Sequence, residues 1–172
     1  MTAVRLIPLA AEHLPAVPPM LDDPAVAAYT PLPSPAPDDW AEPWLARNLQ
    51  ARAEGTREVF AAFDADDRLV GLGFAPHIDA DSAEIELGYL IAPSERGRGL
   101  GTAVLRALTG WAFDSRGAYR LTLLIDADNL ASQKVAERSG YSCEGTLRAL
   151  HAGRGRRRDT QLWSRLVTDP PA

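Results

Sequence analysis

The stretch that most limits what this chain can become is Tyr89-Leu90-Ile91-Ala92-Pro93-Ser94-Glu95-Arg96-Gly97-Arg98-Gly99-Leu100-Gly101-Thr102. An alternating run, Ala83 to Ile91, leads into it, and Val104, Leu105, Leu108, Trp111 and Ala112 follow at helical spacing. Strand, glycine-rich turn and helix N-terminus therefore meet within a few residues. Glycines let the backbone come close to a ligand, and the first N–H groups of a helix have no partner within it. Backed by the positive end of the helix dipole, these amides form an anion site suited to a pyrophosphate. Arg96 and Arg98 would add charge at its rim. No Gly-Lys-Ser/Thr follows the turn, which argues against a P-loop nucleotide hydrolase. A dinucleotide fold wants Gly-x-Gly-x-x-Gly after the first strand of a βαβ unit, whereas Gly97, Gly99 and Gly101 come late, after hairpin strands. Spacing alone leaves a plain turn equally open.

The rest of the chain supplies elements around that turn. Val4 to Pro8 reads as a short strand. His13 to Leu21 is apolar but carries Pro15, Pro18 and Pro19, so any helix there is short. Tyr29 to Pro37, with prolines at 31, 33, 35 and 37, reads as an extended loop. Asp39-Trp40-Ala41-Glu42 then predicts a capping box opening a helix that Gly55 ends, with Pro43 in its first turn and Trp40, Trp44 and Leu45 on one face. Glu58 to Phe63 and Arg68 to Ala75 flank the turn sequence Asp64-Ala65-Asp66-Asp67 and form a hairpin, with Ala75 to Ser82 as a loop. In Ala83 to Ile91, Glu84, Glu86 and Gly88 lie on one side, and Ile85, Leu87 and Tyr89 on the other. Gly101 to Ser115 is a helix with Gly117 at its C-cap, and Arg120 to Ile125 is a buried strand. Asn129 to Ser139 is a short helix closed by Gly140, and Tyr141 to Glu144 and Thr160 to Val167 are the last strands. This order predicts a mixed α/β (α+β) sandwich.

Composition sets outer bounds. The chain has 172 residues, 46% hydrophobic and 24% charged, with no repeat or linker, so one domain over residues 1–172 is expected. Its net charge of −5 argues against a general binder of DNA or RNA. No apolar run approaches the roughly 20 residues that span a bilayer, and Met1-Thr2-Ala3-Val4-Arg5 lacks a signal-peptide pattern, so a cytoplasmic protein with no membrane partner is expected. Cys143 is the only cysteine, which excludes an intramolecular disulfide. His13, His77 and His151 have no metal-ligand spacing, so no metal is proposed.

Arg96-x-x-Gly99-x-Gly101, between a strand ending Tyr89-Leu90-Ile91 and a helix, resembles the coenzyme A pyrophosphate loop of the GNAT acetyltransferases. Asn129-x-x-Ser132-x-x-Val135, Ser139-Gly140-Tyr141, Glu144-Gly145-x-Leu147-Arg148 and Arg158-Asp159-Thr160 follow in the order seen in the RimJ/RimL-like branch, which acetylates protein N-terminal amines. The proline-rich loop before Asp38-Asp39-Trp40 and Trp44-Leu45 is similar to that branch too. The likeness runs from about Val4 to Leu166. It implies a GNAT fold: a mostly antiparallel mixed sheet of about six or seven strands flanked by about four helices. Acetyl-coenzyme A would lie where Ala83–Ile91 and Arg120–Ile125 splay apart. The backbone of Tyr89, Leu90 and Ile91 would pair with the pantetheine arm, one N–H polarising the thioester carbonyl. Gly97, Arg98, Gly99, Leu100, Gly101 and Thr102 would hold the pyrophosphate; Asn129, otherwise a plain helix cap, would bond the cofactor, and Lys134 would reach a phosphate.

Acetyl transfer by direct attack in a ternary complex needs a base for the amine and a proton for the departing thiolate. Glu86 and Glu84, on the strand beside the slot, are the candidate bases; Glu86 fits the branch's Glu-x-Gly-Tyr pattern and is preferred over Glu84. Many relatives protonate the thiolate with a tyrosine of the last helix, but Ala136 stands at the matching position. The branch's Asn-x-x-Ser serine, here Ser132, is the expected donor. Cys143 reads as a small buried residue rather than an acyl relay. Trp40, Trp44, Trp111 and Trp163 read as core, with Trp40 or Trp44 open to an acceptor pocket. Arg154, Arg156, Arg157 and Arg158 read as a solvated loop, with an acidic or RNA partner as the other reading. The expected acceptor is a protein or peptide N-terminal amine. A small-molecule acetyltransferase (aminoglycoside, polyamine or amino acid) and a non-catalytic acyl-coenzyme A-binding module remain alternatives. A homodimer follows only by analogy.

Overall fold

The computed structural model describes residues 3–153 and 156–171. A seven-stranded sheet runs in the order β1-β2-β3-β4-β5-β7-β6. The strands are β1 (Arg5–Pro8), β2 (Glu58–Phe63), β3 (Leu69–Asp79), β4 (Glu84–Ile91), β5 (Arg120–Asp126), β6 (Ser142–Gly153) and β7 (Arg156–Leu166). The helices are α1 (Val17–Leu21), α2 (Pro24–Tyr29), α3 (Ala41–Ala53), α4 (Leu100–Gly110) and α5 (Leu130–Arg138). All neighbouring pairs are antiparallel except β4 and β5, which are parallel. The mixed sheet with flanking helices matches the expectation, with one helix more than anticipated.

Strand alternation sorts the core onto two faces of the sheet. Phe60, Ala62, Val70, Ile85, Leu87 and Ile91 pack with Val104, Leu105 and Leu108 of α4 and with Ala136 of α5. Val59, Ala61, Leu72 and Leu90 pack on the other face with Val17, Met20 and Leu21 of α1, Val26 of α2, and Trp44 and Leu45 of α3. Glu86 and Leu90, four residues apart and so on one face of β4, project toward α1–α3, and Tyr89 toward α4 and α5.

Several elements differ from the sequence reading, each for a local reason. A helix, α2, begins where none was expected: Asp23 accepts from Ala25 N at 2.8 Å and Pro24 occupies the first turn. The capping box at Asp39 is not made; α3 starts at Ala41, and its N-cap Trp40 has no side-chain cap bond. Trp40 instead stacks on Trp44, centroids 4.7 Å apart. β3 continues through the expected loop to Asp79, because a bulge between Phe74 and His77 absorbs Pro76, which has no N–H for the ladder. β6 and β7 are far longer than expected and pair through His151↔Arg158 to Gly153↔Arg156. Arg156, Arg157 and Arg158 are therefore strand residues rather than a solvated loop, while Arg154 lies outside the described residues. Cys143 is exposed, not buried, since β6 is the sheet's edge.

Candidate active site

The β4–β5 pairing covers only Glu84↔Arg120, Ile85↔Leu121 and Glu86↔Thr122. Beyond Glu86 the two strands separate, so β4 from Leu87 to Ile91 has no strand partner on that side. The split opens two cavities of about 380 and 390 Å³. Tyr29, Thr30, Tyr89, Asn129 and Ser132 line both, so the cavities meet at Tyr89 and Ser132.

The second cavity is built by the glycine-rich turn. Gly97 and Gly99 both have φ of +78°, and an added Cβ at either would meet nothing within 4 Å, so backbone conformation and not crowding selects glycine there. Gly99 is the N-cap of α4 and supplies no side-chain cap, which leaves the first amides of the helix pointing into the cavity without a side-chain acceptor. Gly97, Gly99, Leu100, Gly101 and Thr102 all line it, as do Tyr89, Leu90 and Ile91. Gly101 has a further duty: a Cβ there would sit 3.2 Å from Tyr89 Cε2 and 3.4 Å from Val135 Cγ2, so its absence lets the tyrosine ring pack under α4. The chemistry of this donor set, uncapped amides beside an unpaired strand edge, fits the diphosphate and amide-bearing arm of coenzyme A.

The charged residues expected at that rim are differently employed. Arg96 forms an ion pair with the buried Asp23 and donates from Nε to the Ile91 carbonyl at 3.3 Å. It lines the cavity while tying the turn to the start of α2. Burial raises the Asp23 pKa, but the Ala25 amide and Arg96 outweigh it and hold the carboxyl below its ordinary value. Arg98 pairs with Glu95. Lys134 is exposed and lines neither cavity.

Ser132 lies in the first turn of α5. Its amide is capped by Asn129 Oδ1 at 3.2 Å, so Asn129 is a helix cap that also faces both cavities. The Tyr89 hydroxyl donates to Ser132 Oγ at 3.2 Å. Burial raises the Tyr89 pKa, the serine contact opposing it, so the phenol stays protonated. The sequence reading used only the Tyr89 backbone, although the strand alternation it noted already set the Tyr89 side chain on the face opposite Glu86.

The first cavity holds the carboxylates. Glu86 lines it, together with Leu32, Trp44, Val59 and Phe74. Burial raises its pKa most, with the charges of His77 and His151 opposing and Glu84 adding to the rise. Glu84 does not line the cavity; its carboxylate is 3.7 Å from Arg120. Among the acidic residues of the lining, Glu58 bonds Arg52 at 2.5 Å and Asp126 bonds Arg158 at 2.9 Å, which leaves Glu86 as the one without an arginine partner among the described residues. His151, given no role by the sequence, donates or accepts at Nδ1 with Asp126 Oδ1, 2.7 Å away. Among the described residues no group of three or more His, Cys, Asp or Glu is placed to hold a metal, and no helix is long and apolar enough to cross a membrane.

A split parallel strand pair, a glycine-built anion cradle at the split and a helix beside it define an acyl-coenzyme A-binding fold. Residues 3–142 match the acetyltransferase (GNAT) domain, so the chain belongs to the GNAT acetyltransferase family. It is 27% identical over 120 residues to the ribosomal-protein-serine acetyltransferase of Escherichia coli (strain K12), covering 70% of this chain and 66% of that protein. The fold superposes on RimL, the ribosomal L7/L12 alpha-N-protein acetyltransferase in complex with coenzyme A, with a TM-score of 0.90 at 19% identity over 97% of this chain and 96% of the other. It also superposes on the spermidine N-acetyltransferase from Vibrio cholerae in complex with CoA and spermine, with a TM-score of 0.85 at 18% identity over 96% of each chain.

Proposed function

We propose that this protein transfers an acetyl group from acetyl-coenzyme A to a primary amine, directly and within a ternary complex. The observation that carries the reading is the meeting of the two cavities at Tyr89 and Ser132, with the amide cradle on one side and Glu86 on the other. Acetyl-coenzyme A supplies the activated acyl group. Its diphosphate is assigned to the amides of Gly97 to Thr102 and its pantetheine arm to the open edge of β4 at Tyr89–Ile91. One β4 amide polarises the thioester carbonyl. Arg96 and Arg98 shape the turn, and Lys134 is left without a role at the phosphates.

On the acceptor side, Glu86 draws in the ammonium and takes its proton. Its raised pKa makes it a stronger base than an ordinary carboxylate, which suits that step. Ser132 donates to the departing sulfur, with the Tyr89 hydroxyl bonded behind it. The two groups approach from opposite faces of the sheet through the split.

The acceptor is assigned as the N-terminal amine of a protein or peptide in the cytoplasm. A single carboxylate without an arginine partner suits one ammonium followed by an uncharged chain, and Leu32, Trp44, Val59 and Phe74 offer it apolar walls. A polyamine carries several cations and would need several such carboxylates. The E. coli relative, named for ribosomal-protein serine acetylation, supports the same class. The test is release of coenzyme A thiol with N-terminal peptides, polyamines and aminoglycosides. Turnover with peptides is expected. Turnover confined to small amines would overturn the acceptor class, and none with any amine would favour an acyl-coenzyme A-binding module.

A further inference from the structure

The acceptor cavity holds a second proton-handling group whose placement needs explaining. Asp126, at the end of β5 and only 5% exposed, accepts from three donors or donor-capable groups. Arg158 reaches Oδ2 at 2.9 Å, Thr160 Oγ1 reaches Oδ1 at 3.1 Å, and His151 Nδ1 lies 2.7 Å from Oδ1. Burial raises the Asp126 pKa, but these partners outweigh it and keep the group an anion. A buried carboxylate anion cannot donate, so the short contact fixes the tautomer: a neutral His151 carries its proton on Nδ1, and Nε2 is left as the acceptor. The ring lines the same cavity as Glu86 and is 44% exposed, so it connects that cavity with water.

The backbone is distorted to put His151 there. Leu147 pairs with Thr160 and His151 with Arg158, so four steps along β6 match two along β7. Those two extra residues form a bulge. In a regular ladder Ala149 would face Arg158, and His151 would lie one strand repeat, about 7 Å, farther along. The bulge is specifically braced. Ala149 takes a φ of +53°, a conformation that costs a non-glycine residue about 1–2 kcal/mol, and its amide is held by Asp159 Oδ1 at 2.8 Å while its carbonyl accepts from Arg157 at 3.0 Å.

Acetylation of an ammonium by a thioester forms one C–N bond and breaks one C–S bond. It leaves the thiol protonated and sets free one further proton per turnover. Glu86 is half-buried, and with an acceptor seated over it that proton needs a route to bulk water. We infer that His151, oriented by Asp126, is the proton exit of this active site: Nε2 accepts the proton that Glu86 takes from the acceptor and hands it to solvent. The inference rests on the acetyl-transfer reading above. The charged groups that share the cavity with the ring are Asp126 from β5, Glu86 from β4, Arg57 and Glu58, and Arg158 from β7 bonds the far oxygen of Asp126. An imidazole is the side chain best suited to the task, since it exchanges protons between about pH 5 and 8.

Two measurements test it. With an amine that the wild-type protein acetylates, His151→Ala lowers kcat about tenfold or more, leaves KM for acetyl-coenzyme A unchanged, and is rescued by added imidazole. His151→Gln loses the same activity and regains none of it. An unchanged kcat, or a loss that imidazole does not restore, overturns the inference. The second measurement needs no turnover. In ring NMR spectra at fixed pH, Glu86→Gln shifts the His151 ring resonances, because the carboxylate that shares its cavity is gone; unmoved resonances overturn the Glu86–His151 coupling. A wild-type protein that acetylates no amine would sink the acetyl-transfer reading instead, and the ring spectra would separate the two failures.

Discussion

Replacing Ser132 by alanine removes one oxygen from the point where the two cavities meet. The structural cost is small. The 3.2 Å bond from the Tyr89 hydroxyl is lost, worth about 1 kcal/mol net, and alanine returns a few tenths as a better helix former. A fall in Tm of about 1–3 °C is expected for a chain this long. The chemical cost is larger. If Ser132 protonates the thiolate, kcat falls about 100-fold, equivalent to about 2.7 kcal/mol in the barrier. KM for acetyl-coenzyme A stays within about threefold, because the cradle from Gly97 to Thr102 is untouched. Tyr89→Phe keeps the serine and removes its partner, so a loss of about tenfold is expected. The double variant should be no slower than Ser132→Ala alone, since the phenol acts through the serine. Thiol trapping gives the rates and urea denaturation the stability. Wild-type kcat in Ser132→Ala refutes the donor assignment; additive losses in the double variant refute the Tyr89–Ser132 coupling.

Other substitutions probe different links. Gly71→Ala places a Cβ 2.2 Å from the Leu90 carbonyl and 3.1 Å from Ile91 Cδ1, so β3 and β4 must move apart; a loss of about 3 kcal/mol in chemical denaturation is expected, and wild-type stability would contradict the packing. Glu86→Gln removes the base. The wild-type rate should rise with pH through a midpoint above the ordinary carboxylate range, since only the ionised, buried form accepts a proton, and that acid limb should vanish in the variant along with about 100-fold of kcat. Thermal melting of Glu86→Gln should show equal or higher stability, because a desolvated charge has been removed. Glu144 is held down at about 2 by Arg120 and Ser164, so its contribution is present above about pH 4.5 and lost as pH falls toward 2. With 40% of the side chain exposed, the pair is worth about 1 kcal/mol after screening, and Arg120→Gln should erase that part of the acid dependence of unfolding.

The elements with strict periodicity were legible in the sequence. Strand β4, the turn from Arg96 to Gly101 and helix α4 follow from alternation, glycines and helical spacing, all of which act over a few residues. What was missed is set by partners far along the chain. The reach of β6 depends on pairing with β7 and on a bulge at Ala149 that no local residue type announces. Arg158 reads as a surface charge until Asp126 and the Ala28 carbonyl are brought to it by the fold. His151 was dismissed for want of metal-ligand spacing, yet its partner Asp126 stands 25 residues away on β5. Arg96 is the converse case: its type suggested a phosphate contact, and a buried Asp23, invisible until α2 formed, claims it.

Calorimetry of coenzyme A against the wild-type protein bears most directly on the reading. If the amides of Gly97 to Thr102 grip the diphosphate, coenzyme A binds in the micromolar range while pantetheine, which lacks the diphosphate, binds at least about 100-fold more weakly. Equal affinities, or no heat with coenzyme A at millimolar concentration, would contradict it.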